Sequence, residues 1–401
     1  MEINLNAYKI SMQEELEAIL SFWMNYTKDE VNGGFVGQID SNNNIVPDAP
    51  KGSVLNARIL WSFSAAYNLT GNKLYLDFAR LAFHYINKYF IDKEFGGVYW
   101  TVDCKGDPLD TKKQIYALAF TIYAFSEFYK ASKESEAIIE AIELYDMIVK
   151  HSYDPVYGGY TEAFTRTWTP IEDLRLSNKD ANEKKSMNTH LHVLEAFTVL
   201  FEVWPYEPVK KNIAGLIDVF LQHIINPVTS QQYLFFEDNW APKSATVSYG
   251  HDIEAAWLIQ EAAEAIEDKD LIKKTTLTAI KMCDAVKKGL DIDGGLWYEY
   301  EPDTNYLIKE KHMWPQAEAM VGFFNAWQNT SDKKYLDHSM AAWQFVQQHI
   351  LDKKNGEWFW GVKENYVPMS EDKVGIWKCP YHNSRACIQI IKRIDQIENK
   401  I

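Results

Sequence analysis

The sequence predicts an all-α protein, an (α/α)6 barrel of twelve helices with short β-hairpins at one end, running through residues 1–401 as a single domain. Three observations lead there. Short Gly-Gly-aromatic runs recur at a nearly constant interval. Between consecutive runs the chain reads helix, break, helix. A lone helix at each end of the chain supplies the two halves of a sixth pair. A fixed period of this kind marks stacked supersecondary units, each burying its apolar face against the next.

The runs are Gly33-Gly34-Phe35, Gly96-Gly97-Val98-Tyr99-Trp100, Gly158-Gly159-Tyr160, Gly294-Gly295-Leu296-Trp297-Tyr298 and a weaker copy from Gly356. Their first glycines are 63, 62, 136 and 62 residues apart, and the double-length gap holds Leu234-Phe235-Phe236-Glu237, a sixth copy without its glycines. Alternation of apolar and polar residues after each glycine turn suits one strand of a hairpin. The first helix is expected around Met12 to Tyr26. Val54, Leu55, Ile59, Leu60, Phe63 and Ala66 then follow a helical period, stop at Thr70-Gly71-Asn72, and give way to a second helix through Leu74, Phe78, Leu81, Ala82 and Tyr85. The same order repeats over residues 115–149 with a break near Ser132, over 190–225 with a break at Pro205, over 253–290 with a break near Asp268, and over 317–350 with a break at Ser331-Asp332. Ser, Asn, Asp and Pro are the residues that cap or start helices. The last helix is expected around Asn383 to Ile397. An open solenoid is the alternative, but it would need polar capping repeats at both ends.

Composition narrows the function classes. The 401 residues carry a formal charge of −15, which disfavours a polyanionic partner such as nucleic acid. The acidic N-terminal stretch, with Glu2, Glu14, Glu15 and Glu17, does not read as a secretory signal, and no stretch is long and apolar enough to span a bilayer. Cys104, Cys283, Cys379 and Cys387 match neither a zinc pattern nor a disulfide scaffold, so a reduced, cytoplasmic, monomeric protein is expected. Aromatic residues are abundant: Trp 14, Tyr 23 and Phe 20 are more than hairpins alone require, and some are free to line a pocket.

In a closed ring the inner-helix starts converge on one end. They read Asn56-Ala57-Arg58, Gln114-Ile115-Tyr116, Asn188-Thr189-His190-Leu191-His192, Gly250-His251-Asp252-Ile253-Glu254, Trp314-Pro315-Gln316-Ala317-Glu318 and Tyr381-His382-Asn383-Ser384-Arg385. Asn188 and His192 are four apart, His251 and Glu254 three, Trp314 and Glu318 four, and His382 and Arg385 three, so each pair shares a helix face. His190 points elsewhere. Any one of these residues alone would read as a cap or surface group, but nearly every repeat places such a pair at the equivalent point. His192, His251, Glu254 and His382 are conceivable metal ligands, yet none lies in an H-E-x-x-H pattern, and no metal is expected. Glu254 and Glu318 are conceivable glycosidase carboxylates, whereas several histidines suit proton transfer near neutral pH.

The stretches NARILW from Asn56, MNTHLHVLEAF from Met187, GHDIEAAWL from Gly250 and WKCPYHNSRAC from Trp377 closely resemble the cellobiose 2-epimerases of the N-acylglucosamine 2-epimerase superfamily. The resemblance runs from the first helix to the last. It implies an (α/α)6 barrel that, without metal or nucleotide, inverts C2 of the reducing-end glucose of β-1,4-linked disaccharides. Matched residue by residue, it implies His251 and His382 as general acid/base pair. It places Arg58, Tyr116, Asn188, His192, Glu254, Trp314, Glu318, Trp377 and Arg385 around the sugar. Arg58 and His192 are expected to stabilise an enediolate, Glu254 to orient His251, and Trp314 and Trp377 to pack on pyranose faces. Aldose-ketose isomerases and N-acylglucosamine 2-epimerases share the histidine framework and remain alternatives, as does a non-catalytic sugar-binding protein.

Overall fold

The computed structural model describes residues 4–399. Twelve α-helices occur among them: α1 Leu5–Tyr26, α2 Ser53–Thr70, α3 Lys73–Tyr89, α4 Ile115–Ser132, α5 Ser135–His151, α6 Met187–Val203, α7 Glu207–Val219, α8 Tyr249–Ala265, α9 Lys269–Val286, α10 Met313–Thr330, α11 Lys333–Phe345 and α12 Tyr381–Glu398. The even-numbered helices pack α2 on α4, α4 on α6, α6 on α8, α8 on α10, α10 on α12 and α12 back on α2, so the inner ring closes. Each odd-numbered helix lies outside an inner one, and α1 packs on α12, the pair formed by the two ends of the chain.

Position in the ring explains the two helix compositions. An inner helix is enclosed on all sides and is buried without a break, as from Ser53 to Ala66 in α2 and from Ile115 to Phe128 in α4. An outer helix buries one stripe: α3 turns in Tyr75, Leu76, Ala79, Ala82, Phe83, Tyr85 and Ile86. The expected breaks are real caps. Gly71 takes the left-handed conformation after α2, Asn72 accepts from the Leu74 amide, and Asp268 accepts from the amides of Asp270 and Leu271. The first helix starts earlier than its apolar period, at Leu5, because the Asn4 side chain caps it through the Ala7 amide. α7 and α11 each end in a single π-helical turn, Phe220–Ile224 and Val346–Ile350.

The hairpins gather at the end where the inner helices begin. Each glycine turn is bracketed by an isolated bridge, as in Lys28 with Phe35 and Ile91 with Val98. The strand that follows pairs with the short strand preceding an inner helix: Lys51–Gly52 with Thr101–Val102, Lys113–Gln114 with Ala163–Phe164, Lys185–Ser186 with Phe235–Phe236, Val247–Ser248 with Glu299–Glu301, and Lys311–His312 with Gly361–Val362. Ile39 pairs with Val374 and so closes this belt as well as the helices. In the copy without glycines, the turn itself lies upstream of the aromatic strand, at residues 226–231, where Gln232 bridges Ile225. Ser230 there takes the left-handed backbone, φ 59°, that Gly33, Gly96 and Gly158 take in other copies.

Candidate active site

The inner-helix N-termini surround a cavity of about 400 Å³ at the hairpin end. Nine of the residues expected at the site line it: Arg58, Tyr116, Asn188, His192, His251, Glu254, Trp314, Trp377 and His382. Glu318 and Arg385 stand behind its wall, each buried to 1% side-chain exposure, and reach the cavity only through the groups they hold. His190 faces away from it, accepting the Tyr160 amide on Nε2 at 2.8 Å, with Nδ1 2.6 Å from the Ser186 carbonyl.

Three of the four cavity histidines are supported through Nδ1 by three different groups. His251 lies 2.8 Å from Ser248 Oγ, His192 2.8 Å from Glu195 Oε2, and His382 2.7 Å from Glu318 Oε1. Each Nε2 is thereby left as the ring nitrogen available to a ligand. Burial pushes His251 down to about 4, and so keeps its ring neutral at pH 7. His382 is driven well below the usual histidine range by burial, against the pull of Glu254 and with further push from Arg58 and Arg385. The Trp314 indole stands against both rings, its centroid 4.7 Å from His251 and 5.6 Å from His382.

Glu254 does not orient His251. Its Oε1 accepts instead from Arg385 Nη2 at 2.5 Å, because α12 brings that guanidinium between Glu254 and Glu318, to which the same nitrogen donates at 2.6 Å. Ligand atoms of Glu254, Glu318 and His382 lie within 4.8 Å of one another, and Arg385 supplies the positive charge between the two carboxylates. Arg58 donates to the Tyr116 hydroxyl at 2.8 Å and lies 4.2 Å above the Phe120 ring, leaving its Nε without a protein partner. Asn188 Oδ1 is likewise buried and unpartnered. Trp377 sits beside Tyr116, ring centroids 6.1 Å apart. A second compartment of about 420 Å³ continues outward, sharing Leu176, Lys179, Asp180, Asn188, His251, Tyr298 and His312 with the first.

Two groups of residues went unread in the sequence. Tyr298, His312 and the 176–180 loop project from hairpins and connections, where no helical period announces them. Glu195 was legible: it lies three residues after His192, the spacing that singled out His251 with Glu254.

This barrel, with its cluster of histidines and guanidiniums at the hairpin end, belongs to the N-acylglucosamine 2-epimerase (GlcNAc 2-epimerase) family, whose model matches residues 33–386. The chain is a carbohydrate epimerase, an isomerase. Among curated relatives it is 45% identical to a cellobiose 2-epimerase of Bacteroides fragilis, covering 96% of this chain and 98% of the relative. It is 39% identical to a cellobiose 2-epimerase of Dictyoglomus turgidum over 98% of this chain and all of that one. Among solved structures, cellobiose 2-epimerase from Bacillus thermoamylovorans superposes with a TM-score of 0.93 at 38% identity, covering 97% of this chain and 100% of that chain. Among the described residues, no helix is long and apolar enough to cross a membrane.

Proposed function

We propose that this chain is a disaccharide 2-epimerase that inverts C2 of the reducing-end glucose of β-1,4-linked disaccharides, turning cellobiose into glucosyl-mannose and lactose into epilactose. The observation that carries the reading is the pair His251 and His382: two imidazoles on one cavity, each held through Nδ1 and each packed against the Trp314 ring. Inversion needs the proton to leave one face of C2 and return to the other, a task two proton-transfer groups on one cavity can share. The cellobiose 2-epimerase relatives support the substrate class. The reading takes residues 1–401 as one catalytic domain, a cytoplasmic monomer that uses no metal or cofactor.

The C2 proton is acidic only when C1 is a carbonyl, so the ring opens first, with His382 near O5 and O1 serving this step. One neutral imidazole then takes the C2 proton, the C2–H electrons form a C1=C2 double bond, and the C1=O1 π electrons shift onto O1 to give an enediolate. Arg58 and His192, fixed donors in a buried site, stabilise that charge. Rotation about C2–C3 presents the other face, the second imidazole, protonated from solvent, gives that proton to C2 while the first releases its proton to solvent, and the ring recloses. Low-lying histidines suit the task, since a base must be unprotonated before it reacts. Trp314 and Trp377 offer flat apolar faces to the pyranose rings.

The test is incubation with cellobiose in heavy water without added metal. The expected product is glucosyl-mannose carrying deuterium at C2, with turnover abolished in His251→Ala and in His382→Ala while circular dichroism stays unchanged. A ketose product would point to the isomerase alternative, and full activity in either variant would sink the two-base mechanism.

A further inference from the structure

Three buried carboxylates, Glu195, Glu254 and Glu318, converge on one guanidinium. Arg385 donates from Nη1 to Glu195 at 2.5 Å, and from Nη2 to Glu254 at 2.5 Å and Glu318 at 2.6 Å. Glu195 also accepts from the Tyr381 hydroxyl at 2.6 Å and faces His192 Nδ1 at 2.8 Å. The second guanidinium of the cluster, Arg58, lies 4.8 Å from the Tyr381 ring. Three negative charges against two positive ones leave a deficit of one positive charge in a region with almost no water access. The charge is most directly supplied by an imidazolium.

We propose that Glu195 is a positioning residue that holds His192 as that imidazolium, with Nδ1–H donating to the carboxylate and Nε2–H directed at the sugar oxygens. A carboxylate only accepts, so Nδ1 must carry a proton; a neutral His192 would then present a bare Nε2 and repel a developing oxyanion. With both nitrogens protonated, His192 donates where the enediolate charge grows. His251, whose Nδ1 partner is the neutral Ser248, is left as an uncharged base. Besides Glu195, the titratable groups facing His192 are Tyr116 from α4, with its ring 5.1 Å away, Arg58 from α2, hydrogen-bonded to Tyr116, and His251 and His382 from α8 and α12. The carboxylate behind His192 and the hydroxyl behind His251 thus give these two histidines different roles.

The inference rests on the epimerase reading, and its test separates the two. In ¹⁵N-histidine-labelled enzyme, the His192 resonances are assigned by their loss in His192→Asn. Both His192 ring nitrogens are expected to be protonated at neutral pH in the unaltered chain; a bare Nε2 overturns the proposal, whatever the fate of the variants. Glu195→Gln is expected to strip the Nε2 proton and lower kcat about 100-fold with KM nearly unchanged, the size of effect seen on removing one oxyanion donor. Glu195→Asp, which keeps the charge, is expected to recover part of that loss. Equal losses in the two variants, or an unchanged kcat in Glu195→Gln, would assign Glu195 a structural role only. Failure of the unaltered chain to turn over cellobiose counts against the epimerase reading itself, and leaves the protonation of His192 to be judged from the spectrum.

Discussion

Five of the six segments that lead into the inner helices carry a buried lysine bonded to the aspartate that opens a glycine turn; the segment leading to His251 does not. The pairs are Lys51 with Asp29 and Lys113 with Asp92 at 2.8 Å, Lys185 with Asp154 and Lys311 with Asp291 at 2.7 Å, and Lys373 with Asp352 at 2.6 Å. Most of these lysines also donate to a turn carbonyl, as Lys51 does to Gly33 and Lys373 to Gly356. At the remaining position both members have changed together, to Val247 and Asn226. Asn226 Nδ2 donates to the Tyr233 hydroxyl at 2.8 Å, and Oδ1 accepts the Val228 amide at 2.9 Å. The comparison teaches that the pair is one unit. Removing one ion would leave its partner buried and unneutralised, whereas losing both leaves an apolar and a neutral polar group, each accommodated.

The largest effect is expected from breaking a pair in half. Lys373→Met should lower unfolding stability by about 3 kcal/mol in urea melts at pH 7, because Asp352 stays buried without its cation. The same pairs set the acid response. Burial alone would raise Asp29, Asp154, Asp291 and Asp352, but their lysines and turn amides hold all four below the usual carboxylate range. Stability from a depressed carboxyl is present above the unfolded value and lost as pH falls through the folded one. The contribution of the pairs should therefore hold from pH 7 to about 4 and then drop, so the gap in melting temperature between the unaltered chain and the double variant Lys373→Met/Asp352→Asn should stay constant down to about pH 4 and change below it.

An intermediate effect is expected from installing the sixth pair. Val247→Lys alone should destabilise, since position 247 is only 8% exposed and Asn226 offers no charge in place of the turn aspartate. Adding Asn226→Asp should recover about 2 kcal/mol in a double-mutant cycle. A coupling near zero would mean that the fourth turn no longer has the geometry of the other five. The smallest effect is Ser230→Gly. Relief of the left-handed backbone outweighs the added chain entropy by about 0.5 kcal/mol, read as a small rise in melting temperature.

Much of this architecture was legible in one dimension. The spacing of Gly33, Gly96, Gly158, Gly294 and Gly356 and the helical periods between them placed all twelve helices, and the lone end helices announced ring closure through α1 and α12. The Asp-x-x-x-Gly signature of the paired turns was equally present at Asp29, Asp92, Asp154 and Asp352, but its lysine partners lie 21 to 31 residues downstream, beyond any local period. At the site, spacing along one helix identified which side chains share a face. It could not say which helix each would meet. His251 with Glu254 looked like a dyad, yet His251 turned to Ser248 and Glu254 to Arg385.

What the sequence determined by itself was the set of helices, their order around the ring and the end on which the histidines gather, because all three follow from local period and chain connectivity. What only the tertiary structure decided was the pairing of charges across helices. Glu195 on α6, Glu254 on α8 and Glu318 on α10 meet one guanidinium from α12 solely because the ring closes. Those contacts span up to 190 residues of chain. They are chosen by three-dimensional proximity and by the cost of leaving a buried charge unpaired, neither of which is written in the spacing of neighbouring residues.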